Sequence, residues 1–318
     1  MSNIILIVGY QASGKSTLSQ TLINQGYIHI NRDKEGGSIA GLVPLVEVAI
    51  KSSKNVVLDN TFPTKAGRKM FIDLAHRHKA SITCYWLNTS IEDAQFNACS
   101  RLIKMFGSLP DNNEIKKSKH PNVFPPAALF GYRKEFEKPT TQEGFDKVEV
   151  IEFARVIDPT YNKKALLLDF DGTLRDTKSG AKFPTDPNNI FILPGRKELL
   201  QAKKKEGYIL LGVSNQSGVE KGDLTMEQAK ACFDKTIELL GVDIDVSFCP
   251  HRVPPISCYC RKPMPGMGVA FIEKYKLDAS KCVVVGDMKT DQTFADRCGF
   301  KFADADVFFG SRLSPQNS

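Results

Sequence analysis

Two stretches of the 318-residue chain carry side chains spaced for phosphate chemistry. The first is Gly9-Tyr10-Gln11-Ala12-Ser13-Gly14-Lys15-Ser16, a Gly-x4-Gly-Lys-Ser run. Glycines at these places let backbone N–H groups wrap a polyphosphate. Lys15 reaches the β/γ-phosphates, and the Ser16 hydroxyl can ligate Mg²⁺. The run follows the apolar stretch 3–8, a buried strand by composition. It opens a stretch from Thr17 to Ile23 with helical spacing, so the helix N-terminus adds its dipole. ATP or GTP binding is expected here, at Gly9, Gly14, Lys15, Ser16 and Thr17.

The second stretch is Ala165-Leu166-Leu167-Leu168-Asp169-Phe170-Asp171-Gly172-Thr173-Leu174. An apolar run of strand length ends in two carboxylates separated by one Phe. Alternate side chains at a strand tip point the same way, so Asp169 and Asp171 can face one crevice. Farther on, Leu210-Leu211-Gly212-Val213 ends in Ser214-Asn215-Gln216. Arg261-Lys262-Pro263 supplies a lysine, and Cys282–Val285 ends in Gly286-Asp287 with Asp291 four residues on. Any one Asp can be structural; the ordered set argues for a site. Cys249, His251, Cys258 and Cys260 form a Cys-x-His-x6-Cys-x-Cys cluster. Three thiolates and an imidazole match a closed structural Zn²⁺ site, with reduced, unliganded cysteines as the alternative.

Two more carboxylates end apolar runs in the first half: Asp33 after 27–30, and Asp59 after 55–58. Strand ends are where open α/β sheets bind ligands, although either Asp can instead cap a helix. The stretch 42–54 reads as an amphipathic helix, 82–87 as a strand, and Ser90 with Asp93 as a helix start. The basic, poorly periodic segment to His120, with Lys116, Lys117 and Lys119, reads as a lid or a surface loop.

Length predicts two domains, and composition (42% hydrophobic, 25% charged) is that of a globular protein. No apolar run reaches membrane-spanning length and no signal peptide precedes the first strand, so an intracellular protein is expected, cytoplasmic or nuclear. Eight cysteines without a secretory signal do not indicate a disulfide framework. Residues 1–155 carry 20 Lys and Arg against 15 Asp and Glu, and the remainder 23 against 21. That excess suits a phosphate-rich partner without establishing one.

The Asp-x-Asp-Gly-Thr motif and its three successors resemble those of the haloacid-dehalogenase (HAD) superfamily. The resemblance implies that Asp169 attacks a phosphate and that Asp171 protonates the leaving oxygen and later activates water. It makes Ser214 and Lys262 the holders of the phosphoryl oxygens. Mg²⁺ would sit on Asp169, the Asp171 carbonyl and Asp287, supported by Asp291. The stretch Cys258–Met267 is similar to the zinc-loop branch that includes histidinol-phosphate and heptose-bisphosphate phosphatases.

The first half resembles the kinase domain of polynucleotide 5′-kinase/3′-phosphatases. The matching pieces are Gly9–Ser16, Asn31-Arg32-Asp33, Asp59-Asn60-Thr61 with Arg68, Asn97 with Arg101, and above all Gly131–Pro139 continuing to Phe145. By that resemblance Asp33 is the general base for a 5′-hydroxyl and Arg101 is a lid arginine at the transferring phosphoryl group. The expected architecture is α/β throughout: a P-loop kinase-like domain over 1–157, then a capless HAD-like domain over 163–318. The expected function is healing of DNA or RNA ends with ATP and Mg²⁺. The alternatives are a small-molecule kinase fused to a sugar- or histidinol-phosphate-type phosphatase, and a non-catalytic nucleotide sensor.

Overall fold

The computed structural model describes residues 2–254 and 258–310. Its α-carbon contacts divide the chain into two units, 1–98 with 116–156, and 99–115 with 157–318.

The first unit begins with β1 (Asn3–Val8), α1 (Lys15–Asn24), β2 (Ile28–Ile30), α2 (Arg32–Glu35), α3 (Val43–Lys51), β3 (Val56–Asp59), α4 (Lys65–Arg77) and β4 (Ser81–Asn88). Helix α5 (Ile91–Phe106) starts in it and runs into the 99–115 segment. Then come α6 (Asn112–Lys117), α7 (Pro126–Glu135) and β5 (Lys147–Glu152). The five strands form one parallel sheet in the order β2-β3-β1-β4-β5. Strand β1 is apolar without alternation because both faces of a parallel sheet are covered. Ile4, Leu6 and Val8 pack with Val46 of α3 and Phe71 and Leu74 of α4. Ile5 and Ile7 pack the other way, with Leu22 of α1. Burying each such side chain contributes about 1.5–3 kcal/mol.

The second unit runs β6 (Ala165–Leu168), β7 (Arg175–Thr177), β8 (Ile190–Ile192), α8 (Arg196–Lys205), β9 (Ile209–Asn215), α9 (Gly218–Lys221), α10 (Met226–Leu240), β10 (Asp245–Cys249), α11 (Gly266–Tyr275), β11 (Val283–Gly286), α12 (Lys289–Cys298), β12 (Lys301–Asp304) and α13 (Ala305–Phe308). Its main sheet is parallel, in the order β10-β9-β6-β11-β12, and β7 and β8 make an antiparallel hairpin. Leu166, Leu168 and Phe170 pack against Leu200 of α8 and Phe233 and Leu240 of α10. Helix α10 is set by a capping box, Thr225 with Gln228, and closed by Gly241 at φ 64°.

In both sheets the central strand, β1 or β6, has neighbours reached by connections on opposite sides. Its C-terminal end is therefore the topological switch point where α/β sheets leave a crevice. Each phosphate-type motif begins at that end.

Some elements differ from the sequence reading. The segment expected as a loop to His120 is partly helical: α5 continues to Phe106 and α6 follows, with buried Ile115 as its anchor. The last strand of the first unit ends at Glu152, because its partner β4 ends at Asn88, opposite Glu152. Among the described residues, no helix is long and apolar enough to cross a membrane.

Candidate active sites

The first site is the loop between β1 and α1. Gly14 takes φ 98°, a conformation costly for any residue with a Cβ, and its carbonyl accepts from Thr17 and Leu18 N–H as the helix starts. Asn97 Nδ2 donates to Ala12 O at 2.9 Å, which braces the loop from α5. The Lys15 ammonium is buried and donates to the carbonyls of Gly9 (3.1 Å) and Tyr10 (2.5 Å). Ser16 and Thr17 are exposed at the helix start.

Asp59, at the end of β3, is buried beside this loop. Ser19 Oγ donates to its Oδ2 at 3.2 Å and the His29 imidazole lies 3.7 Å away. Burial alone would raise its pKa, but His29 and the Lys15 charge outweigh burial and hold it below the usual range. Asp59 does not cap the next helix; Thr64 does, accepting from Gly67 N–H. A carboxylate at this strand end, within the field of Lys15, suits an Mg²⁺–nucleotide site, a role that sequence left open against capping.

Asn31 caps α2, and Asp33 stands exposed in its first turn, 3.2 Å from Arg32 Nη2. Asn31 Nδ2 donates to Asp59 O, and Arg32 N–H donates to Asn60 Oδ1, so the Asp33 turn is tied to the end of β3. Arg68 is buried and structural: it grips Glu143 with two 2.8 Å bonds and donates to Phe62 O and Pro63 O. Arg101 lies in the 99–115 segment, where its charge acts on Tyr259 of the same unit.

The second site gathers residues at the ends of β6, β9 and β11 and from the loop after β10. Asp169 is 8% exposed, and Lys262 Nζ donates to its Oδ1 at 2.6 Å and to Val213 O at 2.9 Å. The same ammonium stands 2.6 Å from Asp291 Oδ1. Asn215 fixes the lysine backbone reciprocally, accepting from Lys262 N–H (3.0 Å) and donating to Lys262 O (3.1 Å). Burial, with the charges of Asp291 and Asp171, pushes Asp169 up to about 7 against the pull of Lys262. Burial also opposes the Lys262 charge, but Asp169 and Asp291 outweigh it and raise that pKa. Asp287 is raised as well, burial being the largest cause.

Carboxylate oxygens of Asp169, Asp287 and Asp291 lie within 4.8 Å of one another. Three carboxylates around one ammonium carry excess negative charge, and hard oxygen donors suit Mg²⁺. The backbone is shaped for this approach: a Cβ on Gly172 (φ 80°) would meet Asp287 Oδ2 at 2.6 Å, and one on Gly286 would meet Asp291 Oδ2 at 2.6 Å.

Asp171 lies at the same mouth, its Oδ1 2.8 Å from Arg175 Nε and its Oδ2 2.9 Å from Gln216 Nε2. Gln216 Nε2 also donates to Ser214 Oγ at 3.0 Å. These side chains open on a cavity of about 400 Å³ lined by Asp169, Asp171, Ser214 and Lys262, with Phe183 and Met288 at its mouth. Asn215 and Gln216 were visible in sequence only as neighbours of Ser214. Arg175 carried no signal.

The Cys249, His251, Cys258 and Cys260 donors also lie within 4.8 Å of one another. Cys249 Sγ is 3.7 Å from Cys258 Sγ and 3.4 Å from His251 Nδ1, and Cys260 Sγ is 3.3 Å from His251 Nδ1. A tetrahedral centre with bonds of about 2.3 Å to sulfur has edges of about 3.8 Å, so the spacing fits a single Zn²⁺. Hydrogen bonds shared among the three thiols hold Cys258 below its usual range and push Cys249 and Cys260 above theirs. Arg261, next to Cys260, donates to His251 O at 3.1 Å and lines the phosphatase-type cavity.

Comparison with known proteins agrees with this division. The family model described as polynucleotide kinase 3 phosphatase matches residues 164–314, and the one described as AAA domain matches 4–98. A probable D-glycero-D-manno-heptose-1,7-bisphosphate 7-phosphatase of Thermoplasma volcanium is 35% identical over 144 residues, 44% of this chain and 96% of the relative. The bifunctional polynucleotide phosphatase/kinase of Schizosaccharomyces pombe is 34% identical over 151 residues, 47% of this chain but only 33% of that protein's length. Among solved structures, the D,D-heptose 1,7-bisphosphate phosphatase from B. bronchiseptica, complexed with magnesium and phosphate, is 26% identical. It covers 48% of this chain and 89% of its own, with a TM-score of 0.39. With a phosphate-binding loop at one switch point and the HAD-type carboxylates at the other, the chain joins a P-loop kinase-like domain to a HAD-like phosphatase domain similar to that of polynucleotide kinase/phosphatases.

Proposed function

We propose that the chain heals nucleic-acid ends, phosphorylating 5′-hydroxyl termini with ATP and hydrolysing 3′-phosphate termini of DNA or RNA. The observation that carries this reading is the rim of the phosphatase cavity. Phe183, 53% exposed, and Met288, 59% exposed, stand at the mouth with Val253 and Pro263. An exposed ring beside a phosphate site can stack a terminal base, an interaction worth about 1–3 kcal/mol.

In the phosphatase half, an Asp169 oxygen attacks phosphorus while the bond to the ester oxygen breaks. Asp171 protonates that leaving oxygen, then takes a proton from the water that cleaves the aspartyl-phosphate. Ser214 and Lys262 hold the phosphoryl oxygens. Mg²⁺ bound by Asp169, the Asp171 carbonyl and Asp287, with Asp291 in support, would supply positive charge against the incoming dianion. Cys249, His251, Cys258 and Cys260 would hold a structural Zn²⁺ that orders the loop leading into Lys262. In the kinase half, Gly9, Gly14, Lys15, Ser16 and Thr17 seat the ATP phosphates, and Asp33, exposed to an incoming polymer end, is the base. By the kinase resemblance, Arg101, one turn after Asn97 on α5, would neutralise charge on the transferring phosphoryl group.

A second reading is favoured by the Thermoplasma relative: the phosphatase half acts on a small sugar phosphate. The test compares a 3′-phosphorylated oligonucleotide with heptose bisphosphate and histidinol phosphate at two salt concentrations. End healing predicts higher kcat/KM for the oligonucleotide, with apparent affinity falling by about one power of salt per phosphate engaged. Preference for a small metabolite by orders of magnitude would refute it for this half. ATP-dependent labelling of a 5′-hydroxyl oligonucleotide, beside polyols and nucleosides, tests the other.

A further inference from the structure

Arg175 is a buried cation that the proposed reaction does not use. It stands at the start of β7, 1% exposed. Its Nε donates to Asp171 Oδ1 at 2.8 Å. Its Nη1 donates to Cys232 O at 2.6 Å and to Thr236 Oγ1 at 2.9 Å, both on α10. The guanidinium carbon lies 5.2 Å from the Phe170 ring centroid and 5.0 Å from that of Phe233. The arginine is thus clamped at its far end and presents one N–H to the carboxylate at its near end.

Asp171 needs such a hold. It sits on a loop whose next residue, Gly172, takes φ 80°, and its charge acts on both Asp169 and Asp287. Repulsion from those carboxylates would turn a loosely held side chain out of the cavity. Gln216 restrains one oxygen from β9, and Arg175 restrains the other.

We propose that Arg175 is a positioning residue for the phosphatase reaction, anchored on α10 and holding the Asp171 carboxyl at the cavity mouth for both half-reactions. The proposal rests on the reading of Asp169 and Asp171 given above. A carboxyl released from this hold still lies near the site but delivers and accepts protons poorly.

The effect therefore depends on the leaving group. An alkyl phosphate must receive a proton as its P–O bond breaks, whereas p-nitrophenolate leaves without one. For Arg175→Met in the full chain, kcat on a 3′-phosphorylated dinucleotide or glycerol phosphate should fall about 100-fold, with KM within about 3-fold. With p-nitrophenyl phosphate, rapid mixing should show a burst of about one p-nitrophenolate per chain and then slow turnover, because aspartyl-phosphate hydrolysis has lost its base. Arg175→Lys, which keeps a cation, should recover part of the alkyl-phosphate rate. Thr236→Val, which loosens only the far anchor, should cost about 3–10-fold on alkyl phosphates, with a weaker form of the same burst on p-nitrophenyl phosphate, and serves if the methionine variant does not fold.

Equal losses on both substrate classes without a burst, from Arg175→Met or from Thr236→Val, would make the arginine merely structural and overturn the proposal. Asp171→Ala separates the two levels. If it slows alkyl phosphates while the Arg175 and Thr236 variants do not, only the positioning role falls. If Asp171→Ala is itself without effect, the acid–base reading falls first.

Discussion

Replacing Asp287 by Asn should change the stability of the phosphatase domain in opposite directions with and without Mg²⁺. The side chain contributes one of three carboxylates whose oxygens lie within 4.8 Å, yet it makes no ion pair as close as those of Lys262 with Asp169 and Asp291. Two unit charges at that distance repel by about 3.5 kcal/mol at an effective dielectric constant of about 20. Asp287 is half-exposed, so screening and the attraction of Lys262 reduce the net repulsion to about 1 kcal/mol. In EDTA, Asp287→Asn should raise the melting temperature of the phosphatase transition by about 2–4 °C. With Mg²⁺ at about 100 times its dissociation constant, the parent gains about 2.7 kcal/mol by mass action, and the variant gains much less. The two melting curves should exchange order between EDTA and millimolar Mg²⁺, as read by calorimetry. Asp291→Asn is the contrasting control. That side chain is buried, contacts Lys262 and accepts from Met288 N–H, so its loss should destabilise in both buffers. A variant at 287 that melts below the parent in EDTA, or gains as much from Mg²⁺, would refute the account of this cluster.

Asp33→Ala should abolish kinase activity and spare the phosphatase, and Asp169→Asn should do the reverse, each by orders of magnitude in rate; paired assays on both variants check the two-site reading, and loss of both activities from one change contradicts it. Freshly prepared, reduced protein should carry about one tightly held Zn²⁺ per chain by elemental analysis. Cys258→Ser should release it and lower phosphatase activity more than kinase activity, because Arg261 and Lys262 follow the last ligand directly. Arg68→Ala should destabilise the first unit by about 3–5 kcal/mol, since it strands buried Glu143 without its fork; adding Glu143→Gln should restore part of that loss in urea unfolding. A ΔΔG near zero for Arg68→Ala would show that the pair does not matter.

The two phosphate motifs were legible in sequence because they are local. A Gly-x4-Gly-Lys-Ser run must fold its own loop, and Asp169 and Asp171 are placed by one strand tip. The buried strands were legible too, since a parallel sheet covered on both faces leaves no polar alternation in 4–8 or 165–168. The four zinc-type ligands were legible by type and spacing within twelve positions; whether their donor atoms converge was a question for the fold. Element ends were less legible, because they depend on partners elsewhere. Strand β5 stops where β4 stops, and the basic segment after Arg101 is partly helical through the packing of residues such as Leu102, Ile103 and Ile115.

Tertiary structure alone decided which polar residues hold others in place. Arg68, in a stretch that resembled a kinase motif, is tied to Glu143, 75 positions away, and carries structure instead of chemistry. Arg175 meets Asp171 four positions back but is anchored on Thr236, 61 positions ahead, so no spacing rule identifies it. Asp59 could be distinguished from a helix cap only when Thr64 took the cap and Ser19 and His29 took the carboxylate. A residue type and its near neighbours state what a side chain can do. Its charge, hydrogen bonds and burial come from elements that only folding brings beside it.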